Sequence, residues 1–179
     1  MCIRDRPLIA AVGQELRDYP TLVEAVRGLD VDLFIAAASP WSEREDTTAD
    51  IDLPANVSVG GLDQFALRQL YAEAALVVVP LQETDFQTGI TTILEAMSMG
   101  QAIVCTRTTG QTDTLVEGET GRYVAPGDPL AMREAIERLL DSPSESKSLG
   151  QAAQRWARQH ADIIGYAGDL AALTAGPMS

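Results

Sequence analysis

Residues 87–100, Gln-Thr-Gly-Ile-Thr-Thr-Ile-Leu-Glu-Ala-Met-Ser-Met-Gly, follow an apolar strand, Ala75 to Pro80, and turn it through a polar loop into a helix. The first turn of a helix exposes backbone N–H groups that lack partners, and the helix dipole adds partial positive charge there. Such an entry is suited to an anion, and to phosphate above all. Gly89 removes the side chain that would block close approach, while Thr88, Thr91 and Thr92 offer hydroxyls around the same point. Ile90, Ile93, Leu94 and Met97 fall at i, i+3, i+4 and i+7, which predicts one stripe buried against a sheet. Thr91 and Glu95 share a different face, so Glu95 can reach a crevice beside the anion site and accept hydrogen bonds from two vicinal ribose hydroxyls. The alternative is a solvated helix glutamate.

Outward from this element, continuous apolar runs predict strands at Leu8 to Val12, Val31 to Ala37, Val57 to Val59, Leu76 to Val79, Ala102 to Thr106 and Gly121 to Val124. Runs without alternation suit parallel strands buried on both faces. Helical stripes lie between them, Leu22, Ala25, Val26 and Leu29 in one, Met132, Ile136, Leu139 and Leu140 in another. Asp128-Pro129 reads as an N-cap followed by proline at the first helical position, and Ser142, Pro143 and Glu145 repeat that logic as a capping box. Strand alternates with helix throughout, which implies an α/β fold: a doubly wound parallel sheet of about six strands, with ligands at the carboxyl ends of the strands. Ser39 to Pro54 reads as a mobile polar surface loop. In the helical tail, Gly165 and Gly168 are expected to interrupt one helix or to separate two.

The chain has 179 residues, 46% of them hydrophobic, enough for a genuine core. No run approaches the length of a membrane span. A formal net charge of −13 argues against nucleic acid or an anionic lipid surface as partner, so an anionic ligand must be held by local devices. Cys2 and Cys105 are too few for a disulfide framework and lack companions at metal spacing, which favours a reducing cytoplasm, and no metal is expected. Met1 to Arg6 fits nothing downstream and reads as a non-native or truncated start. Residues 7–145 are expected to form the ligand-binding domain, and 146–179 a helical tail.

Other strand ends converge on the same crevice. Gly13 lets the chain turn sharply after the first strand. Arg17 is the only cation near it, and reads either as a diphosphate ligand or as a surface arginine paired with Asp18 or Glu15. Gly60-Gly61-Leu62 reads either as a plain turn or as backbone exposed to a base edge. Arg107 to Asp113 forms a polar loop after the fifth strand. Walker, G-x-G-x-x-G and G-x-S-x-G motifs are missing. His160, the only histidine, reads as a surface or packing residue, and Cys105 as a small buried hydrophobe.

Gly13 with Arg17, the Val78-Val79-Pro80 strand end, Leu94-Glu95-Ala96-Met97 closing with Gly100, the Ala102 to Thr106 strand, and Glu119-Thr120-Gly121 with Pro126-Gly127-Asp128 resemble the carboxyl-terminal domain of family-four ("group 1") retaining glycosyltransferases of the GT-B fold. The likeness runs from about Leu8 to about Leu140. It implies a Rossmann-like half that holds a nucleotide diphosphate sugar, from UDP or another nucleotide, without metal or other cofactor. By this resemblance Arg17 stands for the family's usual lysine on the diphosphate, and Glu95 for the second glutamate of its E-x7-E motif, on the ribose. Gly89 and Ile90 resemble the positions whose backbone amides meet the phosphates, with the Thr88 and Thr91 hydroxyls beside them; Gly13 and Gln14 end the first strand, and Gly61 and Leu62 lie where main chain reads the base.

Two departures stand out. Gln87 replaces the first glutamate of the motif, near the donor sugar, and Gln14 replaces a common arginine. Gln87 can hydrogen-bond sugar hydroxyls but brings no charge to an oxocarbenium-like centre; Asp85 is the nearest carboxylate substitute. The resemblance further implies that an amino-terminal acceptor domain is missing, that the last helices cross back onto it, and that Trp156 and its apolar neighbours are therefore partly uncovered. A non-catalytic nucleotide-sugar or partner-binding module with a decayed site is the alternative.

Overall fold

The computed structural model describes residues 6–37, 52–111 and 113–174. Met1 to Asp5, most of the Ser39 to Pro54 loop and Thr112 lie outside the described residues. Six strands form one parallel sheet: β1 (Leu8–Val12), β2 (Asp32–Ala36), β3 (Val57–Val59), β4 (Leu76–Val79), β5 (Ile103–Thr106) and β6 (Arg122–Val124), in the order β3-β2-β1-β4-β5-β6. That is the order of the doubly wound dinucleotide folds, and the chain leaves β1 and β4 toward opposite halves of the sheet. A crevice opens at their carboxyl ends.

Both faces of the sheet are covered, as the unalternating apolar runs require. Ile9 and Ala11 of β1, Leu76 and Val78 of β4, and Val104 of β5 pack with α1 (Tyr19–Val26) and α4 (Pro129–Asp141). Leu8, Ala10 and Val12, Val77 and Val79, and Ile103 and Cys105 pack on the other face with α2 (Gln64–Glu73), α3 (Ile90–Ser98) and α5 (Pro143–His160). Successive residues of a strand point to opposite faces, so each strand fills both layers at once.

The capping signals are realised unevenly. Asp128 caps α4, accepting from the Ala131 N–H at 2.9 Å. Ser142 makes no side-chain cap at α5. Glu145 pairs instead with Arg122 of β6 and with Arg138 at 3.2 Å, so an ion pair displaces the expected capping box. The helix break also falls elsewhere than expected. α5 is continuous from Pro143 to His160, and its Leu149, Ala153 and Ala157 are core. The tail breaks at Ala161-Asp162, where the Asp162 carboxylate accepts from the Gly165 N–H at 2.9 Å, and Gly165 and Gly168 lie inside α6 (Ile163–Thr174). Trp156 is half-buried and stacked on the exposed His160 at 4.8 Å between ring centroids. Along α6, Ile163, Ile164, Tyr166, Leu170 and Leu173 are exposed.

Candidate functional site

The crevice at the ends of β1 and β4 is a cleft of about 580 Å³, lined on one side by residues 12–17 and on the other by residues 86–92 and Glu95. Its floor is decided by two glycines. Gly89 is the N-cap of α3 in the left-handed region, φ 71°, and contributes no side-chain cap. By contrast α1, α2 and α4 begin on Asp18, Asp63 and Asp128, whose carboxylates accept from their own first-turn N–H groups. In a helix entered at Gly89, the N–H groups of Ile90, Thr91 and Thr92 have no intrahelical carbonyl, so the positive end of α3 faces the cleft. Gly13, φ 101°, turns β1 away from the sheet, and a Cβ there would lie 2.5 Å from the Arg17 guanidinium.

Arg17 is buried, not a surface residue. Its guanidinium donates to the carbonyls of Val12 at 3.1 Å and Glu15 at 2.8 Å and to Thr92 Oγ1 at 3.2 Å. Asp18, the carboxylate partner considered for it, is engaged with Thr21. Burial pulls the Arg17 guanidinium below its ordinary value, with Tyr19 as the largest opposing influence. One Arg17 terminal nitrogen lies 3.6 Å from where a Gly89 Cβ would stand, so the cation and the helix entry face the same space. Thr92 is a buried part of the cleft wall, its hydroxyl accepting from Arg17 and donating to the Val12 carbonyl at 3.4 Å. This rotates the expected stripe: Thr92, Ile93, Ala96 and Met97 face the core, while Ile90 and Leu94 are only half-buried.

Glu95 is half-buried and accepts a 2.9 Å hydrogen bond from the Tyr71 hydroxyl, so it is not a freely solvated glutamate. Burial, then the charge of Glu95, holds the Tyr71 phenol well above its ordinary range, so this donor keeps its proton. A second, more apolar hollow of about 510 Å³ between α2 and α3 shares Leu67, Thr91 and Glu95 with the cleft. Tyr71 carried no signal in the sequence: with Leu67, Leu70 and Ala74 it falls into an ordinary core stripe.

The remaining candidates divide. Gln14, Thr88, Ile90 and Thr91 line the cleft, and the Thr88 hydroxyl is buried with no hydrogen-bonding partner among the described residues. Gln87 also lines it, exposed, with its amide donating to Asp113. Asp85 is exposed and is not among the lining residues. Gly61 and Leu62 do not line the cleft either, because β3 stands two strands from β1; Leu62 packs against the layer that contains Leu70 and Tyr71. Leu16, in the left-handed region at φ 53°, lines the cleft and was not singled out from the sequence. No helix among the described residues is long and apolar enough to cross a membrane.

The profile described as "Glycosyl transferases group 1" matches residues 8–142. Among curated relatives, D-inositol 3-phosphate glycosyltransferase of Corynebacterium diphtheriae is 32% identical over 113 residues, 60% of this chain and 26% of the relative. MMP alpha-(1->4)-mannosyltransferase of Mycolicibacterium hassiacum is 29% identical over 161 residues, 86% of this chain and 38% of the relative. This chain therefore spans well under half the length of either. The solved structure of Anabaena HepE in complex with UDP-glucose superposes with a TM-score of 0.81 at 17% identity, covering 97% of this chain and 50% of that one, a likeness of fold. With the profile running through β1 to β6 and α4, the chain belongs to the group 1 glycosyltransferases.

Proposed function

We propose that this chain is the donor-binding half of a glycosyltransferase that moves a sugar from a nucleoside diphosphate sugar to an acceptor, with retention as the family resemblance implies. The observation that carries the reading is the pairing of the uncapped entry of α3 at Gly89 with the buried Arg17 cation across a single cleft. In this reading the diphosphate lies against the Ile90 and Thr91 amides, where the helix dipole and the nearby guanidinium offset its charge, and Thr88 supplies a hydroxyl. Glu95, oriented by Tyr71, accepts from the ribose. The leaving nucleoside diphosphate is stabilised by the same groups that bound it, so no metal is required of this half. The acceptor would be held by a further domain, consistent with the larger size of the relatives.

Titration of the chain with UDP and GDP in a calorimeter tests the reading. Micromolar to millimolar binding is expected, lost on Glu95→Ala; absence of binding by any nucleoside diphosphate would overturn it. The uncharged Gln87 favours a second reading, a module that binds the nucleotide sugar without transferring it. Sugar transfer by the full-length protein separates the two.

A further inference from the structure

The Gln87 amide donates to the Asp113 carboxylate, which joins the segment between β4 and α3 to the segment that follows β5. An ionised carboxylate only accepts hydrogen bonds, whereas a glutamine amide has a donating NH2 group and an accepting oxygen that exchange places by a simple flip. A partner that can only accept therefore fixes the amide: its NH2 group turns to Asp113, and its oxygen becomes the free arm. Gln87 lines the cleft and Asp113 does not. Consequently Asp113 determines which half of the amide a ligand meets.

The two segments are held in register by other bonds. The Thr109 N–H donates to Glu83 Oε1 at 2.9 Å, and the Gly110 N–H donates to the Thr84 carbonyl at 2.9 Å. Gly110 is packed so closely that any Cβ would fall inside van der Waals contact with the Phe86 backbone. Asp113 is thus carried on a loop stitched to the residues just before Gln87. Gln87 and Glu95 flank Gly89 in sequence and all three line the cleft, so in the donor-binding reading, with ribose at Glu95 and diphosphate at the helix entry, Gln87 is left for the group beyond the diphosphate.

We propose that Asp113 is a positioning residue that sets donor recognition: by orienting Gln87, it presents a side-chain carbonyl to a hydroxyl of the donor's sugar. This rests on the donor-binding reading above. Sugars have hydroxyl protons to give, and a carbonyl oxygen held in place selects for one aimed at it, while a freely flipping amide does not discriminate in this way.

Calorimetric titration of the chain with UDP against UDP-glucose, and GDP against GDP-mannose, tests it. The chain is expected to bind one of the two sugar nucleotides more tightly than its free nucleoside diphosphate. Asp113→Ala should shrink that margin by about five- to tenfold, the scale of one oriented hydrogen bond, with the free nucleotide unaffected. Asp113→Glu, which still only accepts, should restore most of it. No margin in the unmodified chain, a margin unchanged in Asp113→Ala, or a parallel loss of free-nucleotide affinity would each overturn the assignment. Failure of every nucleotide and sugar nucleotide to bind the unmodified chain would refute the donor-binding reading itself.

Discussion

The Tyr71 hydroxyl donates to Glu95 Oε2 at 2.9 Å, tying α2 to α3 at the carboxylate that lines both hollows. A carboxylate held this way presents its other oxygen in a fixed direction and loses less freedom when a diol binds. Tyr71→Phe should weaken UDP binding by about three- to tenfold, the scale of one hydrogen bond to a charged acceptor, and less than Glu95→Ala does. Calorimetry of the two variants side by side checks the order.

Arg17 acts on stability as well as on the cleft. Arg17→Ala removes the donor to the Val12 and Glu15 carbonyls and to Thr92 Oγ1 and leaves a cavity, and should cost about 2–4 kcal/mol. Urea denaturation measures it. An unchanged midpoint would mean that the buried guanidinium contributes nothing to folding.

Gly89 and Gly127 make a matched pair. Both sit in the left-handed region, but a Cβ on Gly89 would meet Val79 and Leu81 side chains at 3.1 Å, while one on Gly127 meets nothing within 4 Å. Alanine at position 127 should cost only the backbone penalty of about 1 kcal/mol and leave nucleotide affinity alone. Gly89→Ala should cost more and lower UDP affinity too, as thermal melts with and without UDP would reveal.

Cys105 should be chemically inert. Burial pushes its thiol up to about 12, with the Gln111 side chain and Arg17 opposing, so hardly any thiolate exists at pH 8. In a Cys2→Ser background, a maleimide reagent should fail to label the folded chain and label it fully in denaturant. Rapid labelling of the folded state would contradict the burial.

The Glu145 carboxyl lies below its ordinary value of 4.5 because Arg122, and then Arg138, hydrogen-bond it. A group depressed in the folded state stabilises at pH above its unfolded value, and that contribution disappears as pH falls through the folded one. Both partners are solvent-accessible, so the effect is small and salt-sensitive. The fall in urea midpoint between pH 6 and pH 3 should be shallower in Glu145→Gln than in the unmodified chain.

The strands were legible because parallel strands covered on both faces are apolar at nearly every position, as in β1 and β4, and such runs stand out without knowledge of their neighbours; the outer β3 and β6, which carry Ser58 and Arg122, are the shortest of these runs. The uncapped entry of α3 was legible for a similarly local reason: a glycine where a strand passes into a helix. What the pattern hid depends on side chains meeting across the fold. Thr92 lines the cleft, yet its hydroxyl is taken up by the buried Arg17 guanidinium and the Val12 carbonyl. Ser142 to Glu145 looked like a capping box, yet Arg122, distant along the chain, takes the glutamate. Tyr71 and Asp113 gain their roles only from Glu95 and Gln87, partners on other segments.

The two outermost strands, Val57–Val59 and Arg122–Val124, are each three residues long. An open rim of unpaired amides invites another polypeptide to add itself, and a rim this brief offers it few rungs to grip. Central strands of four or five residues tapering to such stubs guard against polymerisation while leaving the interior pairing intact. Lengthening either stub with β-branched residues would therefore endanger solubility before it endangered the fold.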